Sequence, residues 1–375
     1  MGDRRVIFMT GATGSLGQLL VREILCHSDD RLYLLVRSKR GQPHRARIQS
    51  ILEGAGLENC LDTRVRMLTG DIALPGLGLN AADLASLRGE ITHIFHSAAL
   101  TTLNARRTEC ERTNVDGTAA VVNLAWDLRR NGKLERLVHF STAYAVGSRK
   151  TYHSNEDSLP EEPRFANFYE SSKYRAEQMV REAMGRGLPV TIFRPSIVAG
   201  DSRTGEVTRF NVFYPFIKLF ALGILSTLPA RLENSMNLVP VDFVVRAALY
   251  LSRRSDAIGR TYHLVTRQPT SIGSLLQLAI SDYPETPPLQ IVDPDRFHSG
   301  HLSFAEKSVF RMLEPYLGYL NEKLTFDTTN TEQALQASGI DFPVTDCAYL
   351  KLLCRYAVEQ GYFRVPATAS SDHRG

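Results

Sequence analysis

The stretch RVIFMTGATGSLGQLLVREIL, residues 5–25, decides the fold. Residues 5–10 form a short apolar run rich in β-formers, the composition of a buried strand. QLLVREIL, residues 18–25, carries its apolar side chains at helical spacing. Between them GATGSLG puts Gly11, Gly14 and Gly17 at a strand-to-helix turn. Glycines there permit a tight bend, close backbone approach to a pyrophosphate and close helix–strand packing. The helix N-terminus adds unpaired N–H groups and a positive dipole end for phosphates. Thr10, Gly11, Thr13, Gly14, Ser15, Leu16 and Gly17 are therefore the first candidate dinucleotide contacts.

The same rhythm continues down the chain. RLYLLV (31–36), VRMLTG (65–70), ITHIFHSAA (91–99), LERLVHFST (134–142) and LPVTIFRPS (188–196) read as further strands, alternating with helical segments. Such alternation predicts an α/β fold with a doubly wound parallel sheet, the Rossmann arrangement. The rhythm breaks after Gly200, and the helix of 238–254 and strand RTYHLVT (260–266) resume it. Residues 1–200, completed by about 238–266, are read as the dinucleotide-binding domain. Residues 201–237 and 267–365 are read as a smaller, mainly helical substrate lobe, and 366–375 as a disordered tail.

Composition narrows the classes. The chain of 375 residues is 43% hydrophobic and 22% charged, with a formal charge of +4, so no global charge draws it to nucleic acid. Its longest apolar stretches, such as residues 213–225, are interrupted and too short to span a bilayer. The N-terminus lacks the shape of a signal peptide. Five cysteines without metal-type spacing suggest reduced thiols, a cytoplasmic location and no metal site.

Charge is nonetheless unevenly placed. Residues 31–52 hold five Arg and one Lys without an acid. A site for NAD expects a carboxylate about 20 residues beyond the glycines, to bind the ribose hydroxyls. Arg37 stands there instead, followed by Lys39 and Arg40. A guanidinium can bind a 2′-phosphate bidentately where a carboxylate would repel it, so NADPH is the expected cofactor. Arg45 and Arg47 read as solvated helix residues. Asp71 and Ile72, ending the third strand, are placed to meet the adenine. Ser97, Ala98 and Ala99 bring small residues where backbone passes close to the cofactor.

Tyr-x-x-x-Lys occurs three times, at Tyr169/Lys173, Tyr214/Lys218 and Tyr319/Lys323. The spacing puts a phenol and an ammonium on one helix face and does not by itself distinguish the pairs. Position does. Tyr169 opens the helix that follows Thr142, the end of the fifth strand, and ligands bind outside the carboxyl ends of such strands. Thr142, Tyr169 and Lys173 can converge there, whereas the other two pairs read as structural.

TGATGSLG, HSAA, NVDGT, the strand-ending ST, YESSK and RPSIVAG occur in an order that resembles the extended short-chain dehydrogenase/reductase superfamily. More narrowly, LLVRSKRGQ, LTGDIALPGLGL, STAYAVG, GDSRTGEV and VPVDFV resemble its thioester reductase branch. That branch includes reductase domains of carboxylic acid reductases and peptide synthetases, and fatty acyl-CoA reductases. The resemblance implies Tyr169 as general acid, Lys173 on the nicotinamide ribose lowering the phenol's pKa, and Thr142 on the substrate oxygen. It also implies Asn114 ordering strand-end backbone, and Pro195, Ser196 and Ile197 lining the nicotinamide, with Tyr169 and Lys173 counted among the cofactor contacts.

The expected reaction is reduction of a thioester carried on coenzyme A or an acyl carrier protein. A ketoreductase or sugar-nucleotide enzyme would use the same Thr/Tyr/Lys set, and a non-catalytic dinucleotide sensor is a third class. The chain begins at its first strand and lacks the longer C-terminal region of eukaryotic fatty acyl-CoA reductases, which fits a stand-alone enzyme.

Overall fold

The structure, a computed structural model, describes residues 4–38, 43–147, 151–283, 286–298 and 304–364. Seven strands form one parallel sheet: Val6–Thr10, Arg31–Val36, Val65–Thr69, His93–His96, Arg136–Phe140, Val190–Pro195 and Thr261–Leu264. Each lies inside the apolar run that predicts it. Counted along the chain, their spatial order is seventh, sixth, fifth, fourth, first, second, third. The winding direction reverses between the first and fourth strands, so a crevice opens beyond their carboxyl ends.

Apart from the edge strand Val65–Thr69, which exposes Arg66 and Thr69, the strands are almost wholly buried because both faces are covered. Ile7 and Met9 pack with Leu20, Val21 and Ile24 of the helix Ser15–His27 and with Val244 and Ala248 of the helix Val241–Leu251. Phe8, pointing the other way, packs with Val121, Ala125 and Leu128 of the helix Gly117–Asn131 and with Val180 of the helix Phe168–Gly185.

A third cluster forms the lobe. It joins the helices Phe213–Ala221, Ile272–Asp282, Phe304–Asn321 and Cys347–Glu359 through side chains such as Phe213, Leu275, Leu313 and Leu353. Tyr144 and Ile197, both near the strand ends, are buried in this same cluster. The lobe thus packs directly onto the crevice.

Two features depart from the sequence reading. Three short parallel pairs appear: Ile197–Ala199 with Leu238–Pro240, Thr227–Pro229 with Gln290–Val292, and Thr151–Ser154 with Lys323–Phe326. Segments of three or four residues are too short to show a period. The second departure is the helix Thr329–Leu335, which lies in the range read as lobe. Its Leu335 is instead buried in the sheet's own cluster beside Ile340 and Phe342. Glu156 anchors it, accepting from Asn330 N (2.6 Å), Thr331 Oγ1 (2.5 Å) and His263 N (2.8 Å). The candidate tail 366–375 lies outside the described residues.

Candidate active site

The glycine turn is shaped by contact. Gly11 has φ +81°, and a Cβ there would lie 2.5 Å from Ala98 N. A Cβ on Gly17 would lie 2.0 Å from the Gly11 carbonyl oxygen, so the helix starts where only hydrogen fits. Gly14 N donates to Gly11 O at 2.9 Å and closes the turn. The helix Ser15–His27 has no side-chain cap and no acid in its first turn. Its first N–H groups and dipole end therefore face the crevice uncompensated, as an anion site requires. Thr10 is fully buried, and its hydroxyl bonds His96 Nδ1 at 2.8 Å. Thr10 supports the turn from below and does not present its side chain. Ser97 Oγ donates to Thr10 O at 2.9 Å, tying the fourth strand end to the first.

Beyond the second strand, Arg37 is 68% exposed, with its guanidinium 4.0 Å from Asp71. Asp71 also accepts from Ala73 N at 3.0 Å, which orders the turn after the third strand. Ile72 packs so tightly on Gly117 that a Cβ there would meet its side chain at 2.8 Å. Lys39 and Arg40 lie outside the described residues. Arg45 pairs with Asp62 on the surface, as a solvated helix residue does. Arg47 is different. It donates to Thr13 Oγ1 at 2.6 Å and to the Arg37 carbonyl at 3.1 Å, which sets its guanidinium against the glycine turn. The reading of Arg47 as a solvated residue is corrected by these contacts. Its helical position ten residues after Arg37 held the signal, but only the fold brings it back to Thr13.

Thr142, Tyr169 and Lys173 converge. Thr142 follows the fifth strand, and its hydroxyl donates to Pro195 O (3.4 Å) and accepts from Tyr144 N (3.3 Å). The Tyr169 phenol is pushed up to about 12 by burial; the neighbouring Thr142 hydroxyl opposes the rise, while Glu170 and Cys110 add to it. Lys173 is buried, and its ammonium donates to Phe140 O at 2.8 Å. Desolvation draws it down to about 8 against the pull of Glu177, so it stays charged at neutral pH. The expected lowering of the phenol by Lys173 is therefore not what these surroundings produce, because burial dominates at both groups.

Supporting groups hold this arrangement. The helix leading into Gly117–Asn131 contains one π-turn, Glu111–Asp116, a deviation that repositions side chains at functional sites. From it Asn114 bonds both the N–H (2.7 Å) and the carbonyl (3.0 Å) of Leu100, and Ser172 Oγ (2.8 Å). Glu177, one turn beyond Lys173, meets Arg194 at 2.6 Å with both side chains 0% exposed. Arg194 holds the Glu177 carboxyl well below the usual carboxylate range. Beneath Lys173 lie His96 and His139, with ring centroids 5.3 Å apart, both kept neutral chiefly by burial. Ser196 bonds Asn237 at 2.7 Å, and Ile197 pairs with Leu238 in the short sheet. Pro195 carries the carbonyl on which Thr142 rests.

The other two Tyr/Lys pairs separate. Tyr214 is buried in the lobe, and Lys218 lies over the ring of Tyr362 at 4.7 Å. Tyr319 does not stay away from the site. Its hydroxyl donates to Glu170 Oε1 at 2.8 Å, immediately beside Tyr169. Nothing in the sequence marks that contact, which joins residues 149 apart.

Cavities occur among the described residues in both the dinucleotide fold and the lobe. A cleft of about 510 Å³ runs between residues 72–77 and the helix Gly117–Asn131. An apolar cavity of about 40 Å³ lies in the lobe between Phe213, Phe220, Leu275 and Leu320, room for no more than a few atoms. Among the described residues no group of three or more His, Cys, Asp or Glu could hold a metal ion. No helix among them is long and apolar enough to cross a membrane.

Comparison with known proteins agrees with this architecture. The terminal R domain from the myxalamid PKS-NRPS biosynthetic pathway superposes with a TM-score of 0.83 at 31% identity, covering 98% of this chain and 94% of that one. A linear gramicidin synthase of Brevibacillus parabrevis is 30% identical over 275 residues, 72% of this chain and 5% of that protein. Fatty acyl-CoA reductase wat of Drosophila melanogaster is 27% identical over 279 residues, 65% of this chain and 53% of that protein. The chain thus spans from about a twentieth to about half the length of these two relatives. The family model described as male sterility protein matches residues 9–248. With that match over most of the dinucleotide fold and the lobe shared with an R domain, the chain belongs to the NAD-binding male sterility protein family.

Proposed function

We propose that the protein is an NADPH-dependent thioester reductase, taking an acyl group from coenzyme A or a carrier protein and releasing an aldehyde or alcohol. The observation that carries this reading is the grouping of Thr142, Tyr169 and Lys173 beside the glycine turn. It occurs in a chain that matches an R domain over nearly its whole length.

The dinucleotide would supply one hydride to the thioester carbonyl carbon. The electron pair of the carbonyl π bond then moves to oxygen, and preorganised hydroxyls stabilise that charge. The Thr142 hydroxyl, turning from the Pro195 carbonyl that it meets at 3.4 Å, donates its one hydrogen to the substrate oxygen. Tyr169 transfers its proton there, leaving a hemithioacetal, and solvent later restores the phenol. Burial favours the donor form, because a phenol near 12 keeps its proton at neutral pH. Lys173, charged below about 8, holds the ribose and offsets the phenolate that forms. Collapse of the hemithioacetal releases the thiol and the aldehyde, and a second hydride would give the alcohol.

Arg37 and Arg47 support NADP over NAD, since two guanidiniums and no second-strand carboxylate face the ribose position. A gramicidin synthase and a fatty acyl-CoA reductase among the relatives support both kinds of thiol carrier. The test is NADPH oxidation against acyl-CoA, acyl-carrier, aldehyde and ketone substrates, repeated with NADH. Turnover of a thioester with NADPH is expected; activity confined to ketones, or a preference for NADH, would overturn the reading.

A further inference from the structure

The contact between Tyr319 and Glu170 joins the lobe to the catalytic helix at the residue next to the proton donor. Glu170 is 4% exposed, and both oxygens of its carboxylate accept hydrogen bonds. It accepts from Tyr319 OH (2.8 Å), Asn167 Nδ2 (3.1 Å) and Ala166 N (3.3 Å), while Asn167 in turn caps the helix by accepting from Glu170 N at 2.9 Å. These bonds fix the first turn of the helix Phe168–Gly185, in which Tyr169 is the second residue.

Tyr319 has a second contact. Its ring meets that of Tyr144 edge-on, with centroids 4.8 Å apart. Tyr144 lies two residues after Thr142, and its backbone N–H donates to the Thr142 hydroxyl. One lobe side chain therefore touches the segments carrying both hydroxyls of the site: the Thr142 turn through its ring, the Tyr169 turn through its hydroxyl. We propose that Tyr319 and Glu170 are a positioning pair, through which the lobe sets the relative placement of Thr142 and Tyr169 and so the efficiency of proton transfer. The proposal rests on the reductase reading of the site.

The pair also carries a proton-linked element. Burial raises the Glu170 carboxyl to about 7, with the Tyr319 hydroxyl opposing the rise and Glu322 adding to it. The groups that face it are Tyr319 and Glu322 from the lobe, Tyr144 from the strand-end turn and Tyr169 on its own helix. Ionised, Glu170 is the stronger acceptor for Tyr319, and the clamp is tight. Protonated below about 7, it loosens.

Tyr319→Phe keeps the ring contact and removes the hydroxyl; Glu170→Gln keeps an acceptor and removes the charge. Both are measured with NADPH and any carbonyl substrate the wild-type chain turns over, so that failure of the thioester reading leaves this test intact. The wild type should show kcat rising through one step near pH 7, before the fall that follows loss of the Lys173 charge above about 8. Tyr319→Phe should lower kcat at pH 7 at least tenfold, with substrate KM and NADPH Kd changed less than twofold. Its step should move to higher pH, because the bond favouring the charged carboxylate is gone. Glu170→Gln should lose the step. Wild-type kcat and pH profile in Tyr319→Phe would overturn the proposal. So would a parallel fall of kcat, NADPH affinity and melting temperature, or failure of this variant to fold, since the pair would then serve the fold alone.

Discussion

Replacing Arg47 by Ala tests the cofactor assignment most directly. Arg47 uses one N–H on Thr13 Oγ1 and one on the Arg37 carbonyl, which fixes the plane of its guanidinium against the phosphate-binding turn. A guanidinium has five N–H donors, so three remain for a 2′-phosphate, and the side-chain entropy of holding it is already lost in the free protein. One charge-assisted bond is worth about 1.5–3 kcal/mol, or roughly 10- to 150-fold in Kd. Arg37, at 68% exposure, makes only a long 4.0 Å pair with Asp71 and is screened by water. Its removal should cost about 0–1 kcal/mol, roughly fivefold at most. Fluorescence titration of wild type, Arg37→Ala, Arg47→Ala and Arg47→Lys with NADPH and NADH separates these terms. Arg47→Ala should weaken NADPH by the larger factor and NADH by less than about threefold, and Lys should not restore the loss, because a point charge lacks the fork. Equal weakening of both nucleotides would refute the reasoning, since Arg47 would then act only by steadying the glycine turn through Thr13.

Tyr169→Phe should lower kcat by roughly 10²- to 10⁴-fold, the usual contribution of a general acid, with NADPH Kd retained; stopped-flow hydride transfer measures it. Gly17→Ala puts a methyl group 2.0 Å from the Gly11 carbonyl, so NADPH titration should show binding lost. For Lys173, whose pKa is lowered to about 8, the charged form prevails below that pH and is lost above it. NADPH Kd should therefore be flat up to about pH 8 and then rise about tenfold per unit, a limb that Lys173→Met lacks. Glu177→Gln leaves Arg194 buried without its counter-charge and should cost about 3–5 kcal/mol in chemical denaturation.

How far the sequence carries depends on how local each cause is. A sheet strand covered on both faces is mostly apolar, so the seven strands, four to six residues each, announce themselves inside longer apolar runs between helical segments. Gly17 is legible for the same reason, since the backbone it clears belongs to Gly11 in the same turn. The short pair Thr151–Ser154 with Lys323–Phe326 is not, because its four-residue segments are largely exposed, lie in no longer apolar run, and are remote from each other in sequence. The helix Thr329–Leu335 reads as part of the lobe for a related reason. Thr331 and Leu335 are its buried residues, but seven mostly polar residues do not say against which layer, and the carboxylate that decides the matter, Glu156, lies far away in sequence.

The two most informative side chains of the site are hidden in the same way. Tyr319 stands in a Tyr-x-x-x-Lys repeat whose spacing carries no meaning there; what counts is a single hydroxyl on Glu170. Arg47 sits in a basic run in which Arg45 makes only a surface pair, and the two are indistinguishable until the helix His44–Glu53 is laid against the first β–α turn. In both cases the motif residue is visible and its partner is not. A catalytic motif written in consecutive residues therefore identifies the proton donor, while the groups that hold it at its working distance come from other layers. Charge and hydroxyl changes at Arg47 and Tyr319 should accordingly alter cofactor choice and proton transfer separately, because the first acts at the second strand and the second at the lobe. A double variant, Arg47→Ala with Tyr319→Phe, should lose NADPH affinity and kcat by the product of the single effects. Coupling above about 0.5 kcal/mol between them would mean that the lobe also sets the nucleotide site, and the separation argued from the two contacts would fail.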